Sequence, residues 1–135
     1  MMSAEKVINA LLKADADLAA LIGDEIHAGV IPQGTALPAV GYNHISTIER
    51  PTVSMGEATT LCTSRIEVAV QAKTYPQQKA VLKAVRKACR AKQGVFAGVT
   101  AHSVLVDTIG PDIRDDDAKI FMQTQDFMVA YTEVN

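Results

Sequence analysis

Residues 60–92 constrain the fold most. In Arg65–Ala72, Ile66, Val68, Val70 and Ala72 alternate with Arg65, Glu67, Ala69 and Gln71, and a period of two marks a strand with one apolar face. Thr74-Tyr75-Pro76 ends the alternation, and proline suits a first helical turn. From Gln77 to Ala91 the residues are strong helix formers, with Val81, Ala84, Val85 and Ala88 at helical spacing. The helix can lay that stripe on the strand face carrying Val68 and Val70. Val68 and Val85 are therefore expected to be buried, strand against helix.

The flanks add elements around this unit. Val7, Leu11, Leu18 and Leu21–Ile22 form an apolar stripe, which predicts a helix from about Ala4 to Ala20, with Ser3 as N-cap and Gly23 as its stop. Asp15 and Asp17 lie near its end, where the helix dipole disfavours them, so a break near Asp15 is one alternative. Ile26–Val30 reads as a short extended piece, Ile31–Thr35 as a turn and Leu37–Ile45 as a strand. Ser46–Thr59 reads as a long loop or as the arm of an extended hairpin. Gln93–Gly98 reads as a connection. Thr100–Ile109 and Ile120–Tyr131 read as two strands joined by a polar turn containing Asp112 and Asp115–Asp117. The expected fold is α+β: a mainly antiparallel sheet of four or five strands with two helices packed on one face. A chain of 135 residues is one domain, residues 1–135, with enough buried surface for a core without staples.

Composition narrows the function classes. A formal charge of −2 gives no overall basic field, and the absence of Trp argues against a stacking surface for single-stranded nucleic acid. There is no membrane-length apolar run, and no signal peptide is apparent. Cys62 and Cys89 have no zinc spacing and make no disulfide framework, so both are expected to be reduced and packed, as in a cytosolic setting. His27, His44 and His102 fall in three different predicted strands without ligand spacing, and no nucleophile or phosphate-loop motif occurs. No catalytic residue, cofactor or metal is expected. Asp115–Asp117 lacks the spaced ligands and glycine of a calcium loop, and reads better as a solvated turn.

One charge pattern stands out. Lys79, Lys83, Arg86, Lys87 and Arg90 are spaced by three and four, with no acid between Pro76 and Lys92, so they line one face of a helix opposite Val81, Val85 and Ala88. Such a stripe serves as a solvated face, as a contact for a neighbour's acidic surface, or as a phosphate contact without sequence readout. The segregation of these cations from Asp115, Asp116 and Asp117 makes the two patches candidate halves of a subunit or partner interface.

Three segments, in order, resemble the tail completion family of long-tailed phages. The first is Gly29–Tyr42, with Pro32-Gln33-Gly34, Leu37-Pro38 and Val40-x-Tyr42. The second is Val70-Gln71-Ala72-Lys73-Thr74-Tyr75 and the helix to Ala91. The third is Gly98-Val99-Thr100 with Ser103-Val104, then Asp126-Phe127-Met128-Val129. The Ser3–Ala20 stripe is similar to the family's amphipathic opening, and Ala39 stands where relatives carry an aromatic. The resemblance implies a non-enzymatic virion-assembly protein at the head-proximal end of a tail, assembled in the host cytoplasm. It would cap the tail tube or join it to the head connector, as a ring of six. Its partners would be its own copies, the tail tube protein and head connector proteins, with DNA only as passing cargo and no membrane. Ser46–Thr59 and the two sheet edges are natural places for the ring contact. The competing reading is a soluble adaptor or regulatory module that binds an acidic partner through the basic helix face. A hydrolase or metal enzyme built from distant residues is a third.

Overall fold

The structure is a computed structural model that describes residues 3–50 and 58–135. In chain order its elements are α1 (Ser3–Ala14), α2 (Ala16–Ile22), β1 (Ile26–Ala28), β2 (Ala39–Arg50), β3 (Thr59–Ala72), α3 (Tyr75–Cys89), β4 (Lys92–Phe96), β5 (Val99–Ile109), β6 (Ile113–Asp115) and β7 (Ile120–Val134). The strands form one sheet in the order β1-β2-β3-β7-β5-β4, with β6 paired to β7 off this path.

The α+β class holds, but the expected strand and helix numbers are corrected. Among the described residues the sheet has seven strands, not four or five, and there are three helices, not two. It is also mixed, since β1 pairs with β2 in parallel. Each excess element has a local cause. β4 contains Gly94 and a register shift between Lys92 and Gly94, and glycine erases the strand signal. β6 is three exposed residues, Ile113–Asp115, too short for any periodicity. The opening stripe divides at Asp15, whose Oδ1 accepts the Leu18 N–H at 2.9 Å. Asp15 thus caps α2, and it and Asp17 sit where the dipole favours them. Gly23 closes α2 at φ 63°, its N–H donating to the Ala19 carbonyl.

Part of the expected Ser46–Thr59 loop is strand, because β2 runs to Arg50 and β3 starts at Thr59. Its middle, residues 51–57, lies outside the described residues.

In β3, burial alternates from Cys62 to Ala72, and Cys62, Ile66, Val68 and Val70 share one core with residues of α1, α2 and α3. Val68 and Val85 are both fully buried in it, as expected. α1 contacts β1, β2, β3, β7, β5 and β4. Six flat strands would span roughly 24 Å, more than one helix of about 10 Å diameter can touch. The sheet therefore curls around α1, while α3 lies against β3, β7 and β5, and α2 packs on α1 and α3.

The segment that carries the first family-like motif crosses close to β2. A Cβ at Gly41 would come within 2.9 Å of Ile31 Cγ1 and 3.1 Å of the Gly29 carbonyl, so glycine is what lets residues 29–31 lie there. The core also holds an unsatisfied pair of amides. Gln78 of α3 and Gln125 of β7 are fully buried, and neither amide finds a hydrogen-bond partner among the described residues. Each such group costs about 1–3 kcal/mol.

Candidate subunit interface

α3 is locked at its start by its own sequence. Thr74 Oγ1 accepts the Gln77 N–H at 3.2 Å, and Gln77 Oε1 accepts the Lys73 N–H at 3.0 Å, a reciprocal cap. Arg86 and Lys87 lie in the last turn, where the dipole favours cations. The rotation fixed by Val81, Val85 and Ala88 then turns Lys83, Arg86, Lys87 and Arg90 to solvent.

These cations divide into two kinds. Lys79 donates to Asp112 Oδ1 at 2.5 Å and to Gln123 Oε1 at 2.6 Å, and lies over the Tyr75 ring. The hydrogen bond to Asp112 raises its pKa. Lys87 reaches across to α2, bonding Asp17 at 2.5 Å and Asp15 at 3.6 Å. The Lys87 hydrogen bond holds the Asp17 carboxyl below the usual carboxylate range. Lys83, Arg86 and Arg90 form no ion pair among the described residues.

The acidic segment is similarly divided. Arg114 pairs with Asp116. Asp115 Oδ1 accepts the N–H groups of Asp117 and Ala118, both at 3.1 Å, which holds the turn between β6 and β7. The Asp117 carboxylate has no ion-pair partner among the described residues. Within one subunit, then, Lys79 meets Asp112, while Asp115, Asp116 and Asp117 form no ion pair with α3.

Sequence reasoning missed the groove between α2 and α3. It has a volume of about 430 Å³ and is lined by Leu21, Ala80 and Ala84 with Asp17, Lys83, Arg86, Lys87 and Arg90. In sequence Leu21 belongs to the opening apolar stripe, yet in the groove it is 40% exposed. Also missed was an ion triad on the sheet face away from the core, where Arg65 pairs with Asp107 and Asp126.

Among the described residues the three histidines do not converge. His27 bonds Glu25 at 2.8 Å, His44 bonds Thr47 at 2.6 Å and His102 bonds Thr132 at 2.7 Å. Among the described residues no group of three or more His, Cys, Asp or Glu is placed to hold a metal. Ser64 is fully buried and bonded to Thr47 at 2.7 Å and to the Tyr131 hydroxyl at 2.9 Å. That chain satisfies buried polar groups and presents no accessible nucleophile. No described helix is long and apolar enough to cross a membrane.

Cys62 and Cys89 are free and buried. Burial raises the Cys62 thiol, and it pushes Cys89 up to about 12. Because the thiolate is the reactive form, neither cysteine should label with a thiol reagent in the native protein at pH 8. Both should label in denaturant. Rapid native labelling of Cys89, read by mass spectrometry, would show that α3 does not sit as described.

Comparison with known proteins adds a family. The model of the family described as "Tail completion protein gp17" matches residues 6–132. No curated protein matches the chain in sequence. Among solved structures, the chain is similar to one in the "Virion of native gene transfer agent (GTA) particle". The TM-score is 0.72 and the identity 20%, over 94% of this chain and 92% of that one. At that identity the likeness speaks to the fold.

Proposed function

The chain belongs to the tail completion protein family, matched over residues 6–132, and from that premise we propose that it is a non-enzymatic virion-assembly protein acting at the head-proximal end of a long phage tail. It caps the tail tube or joins it to the head connector, and it works as a ring, six copies by analogy with the family. Its partners are then its own copies, the tube protein and the connector, with DNA only as passing cargo. The family match carries this reading. The geometry is compatible with it, since the described histidines, cysteines and Ser64 are dispersed or buried.

A closed ring needs a heterologous contact, in which two different patches of one subunit meet across each boundary. Lys79, Lys83, Arg86, Lys87 and Arg90 form one candidate patch, and Asp115, Asp116 and Asp117 the other. Beyond Tyr42, β2 pairs only with β3 among the described strands, so its free edge offers a further contact.

The test is assembly. Purified protein, alone and with the tail tube protein, should give closed rings by negative-stain microscopy and a mass near six subunits. A species that stays monomeric under both conditions removes the ring. Tight capture of an acidic partner by that monomer, lost on reversing the α3 charges, would favour the adaptor reading.

A further inference from the structure

The α2–α3 groove combines apolar side chains with an excess of positive charge. Leu21, Ala80 and Ala84 line it together with Lys83, Arg86 and Arg90, which form no ion pair among the described residues, and with Asp17, the one carboxylate of the lining, which is bonded to Lys87. Lys87 is occupied by Asp15 and Asp17. Three cations facing one opening repel a basic occupant and favour one bearing carboxylates. An exposed Leu21 between them favours an occupant with one apolar side chain near those carboxylates.

This chain displays such a segment. Ile113, in β6, is 49% exposed. Residues two apart on a strand share a face, so Ile113 and Asp115 point the same way, with Asp117, which has no ion-pair partner among the described residues, just beyond. Within one subunit the segment is held elsewhere, because Asp112 is bonded to Lys79 at the start of α3. Arg90 lies about 16 Å further along the helix axis. The segment forms no ion pair with Lys83, Arg86 or Arg90 of its own subunit, which leaves the groove open to the segment of a second molecule.

We propose that the groove between α2 and α3 receives the Ile113–Asp117 segment of a neighbouring copy, with Ile113 seated against Leu21 and the carboxylates facing Lys83, Arg86 and Arg90. Groove and segment are different surfaces, so the contact is head-to-tail and can propagate around a ring. The inference rests on the ring reading and names its contact.

Two measurements separate the contact from the ring. The mass of the unmodified protein reports assembly. Disulfide formation in a variant carrying Leu21→Cys and Ile113→Cys reports the contact, against a background of native cysteines that are buried. The expected result is a ladder of covalent multimers under mild oxidation, absent from either single variant. Lys83→Glu with Arg86→Glu should weaken assembly about tenfold or more at low salt, and less at high salt. Adding Asp116→Lys and Asp117→Lys should recover part of it, while circular dichroism shows all these monomers folded. Rings without the ladder would overturn the contact and leave the ring standing. A covalent dimer in the Leu21→Cys variant alone would overturn it in favour of a symmetric pairing. Absence of any assembly of the unmodified protein, both alone and with the tail tube protein, would remove both.

Discussion

Val85→Asp should abolish cooperative folding, or lower the melting temperature so far that the chain is largely unfolded at 37 °C. Val85 is fully buried on α3, in the cluster that also contains Val68 of β3 and Val81 and Ala88 of the same helix. An ionised carboxylate there loses its hydration without a paired cation, at a cost of several kcal/mol, and the group responds by holding its proton. The sign of the pH dependence follows. The folded-state pKa of the introduced Asp lies above its unfolded value of about 3.9. The variant is therefore least destabilised below that value and loses stability as pH rises through the folded pKa. Thermal melts at pH 4 and pH 7 should show a larger deficit relative to wild type at pH 7. A melt indistinguishable from wild type at pH 7 would mean that α3 does not pack on the sheet through this residue.

What the sequence makes legible is what periodicity encodes. β3 and α3 are readable because Ile66, Val68 and Val70 alternate and Val81, Ala84, Val85 and Ala88 recur on one helical face. The break at Asp15 is readable as an alternative only, because a cap and a poorly placed acid look alike until the Leu18 N–H is seen to reach it. β4 and β6 are five and three residues long. They exist because a longer neighbour offers backbone partners, and that is a tertiary cause with no local signal. The basic face of α3 is legible for the same reason as its apolar face. Which of its cations stay unpaired is not, since Lys87 meets an aspartate 70 residues away and Lys79 one 33 residues away. The groove takes Leu21 from α2 and Ala80 and Ala84 from α3, so it becomes visible only once the two helices are packed. Gln78 and Gln125 carry no sign in the sequence that their amides would be buried without hydrogen-bond partners among the described residues.

Phe127→Ala should be the most damaging truncation in the sheet. Phe127 is fully buried at the middle of β7, opposite Ile66 of β3 on one side and Val106 of β5 on the other. Cross-strand neighbours on one face are in contact range, so the ring ties three strands of the curl together beneath the helices. Removing it deletes a large apolar side chain and leaves a cavity that three hydrogen-bonded strands cannot easily collapse, for a loss of about 3–5 kcal/mol. In a domain of this size that corresponds to a fall in melting temperature on the order of 10–15 °C. The adjacent residue supplies the control. Met128 points to the opposite face, where it pairs across the strands with Arg65 and Leu105, and it is only partly buried. Met128→Ala should cost about 1 kcal/mol or less, because most surface truncations away from special features do. The comparison tests the sidedness of the whole sheet and not just one contact. If Met128→Ala destabilised the protein as much as Phe127→Ala, the face carrying Arg65, Asp107 and Asp126 would be packed as tightly as the face under the helices. The helix-covered side would then no longer be the single core around which the sheet curls.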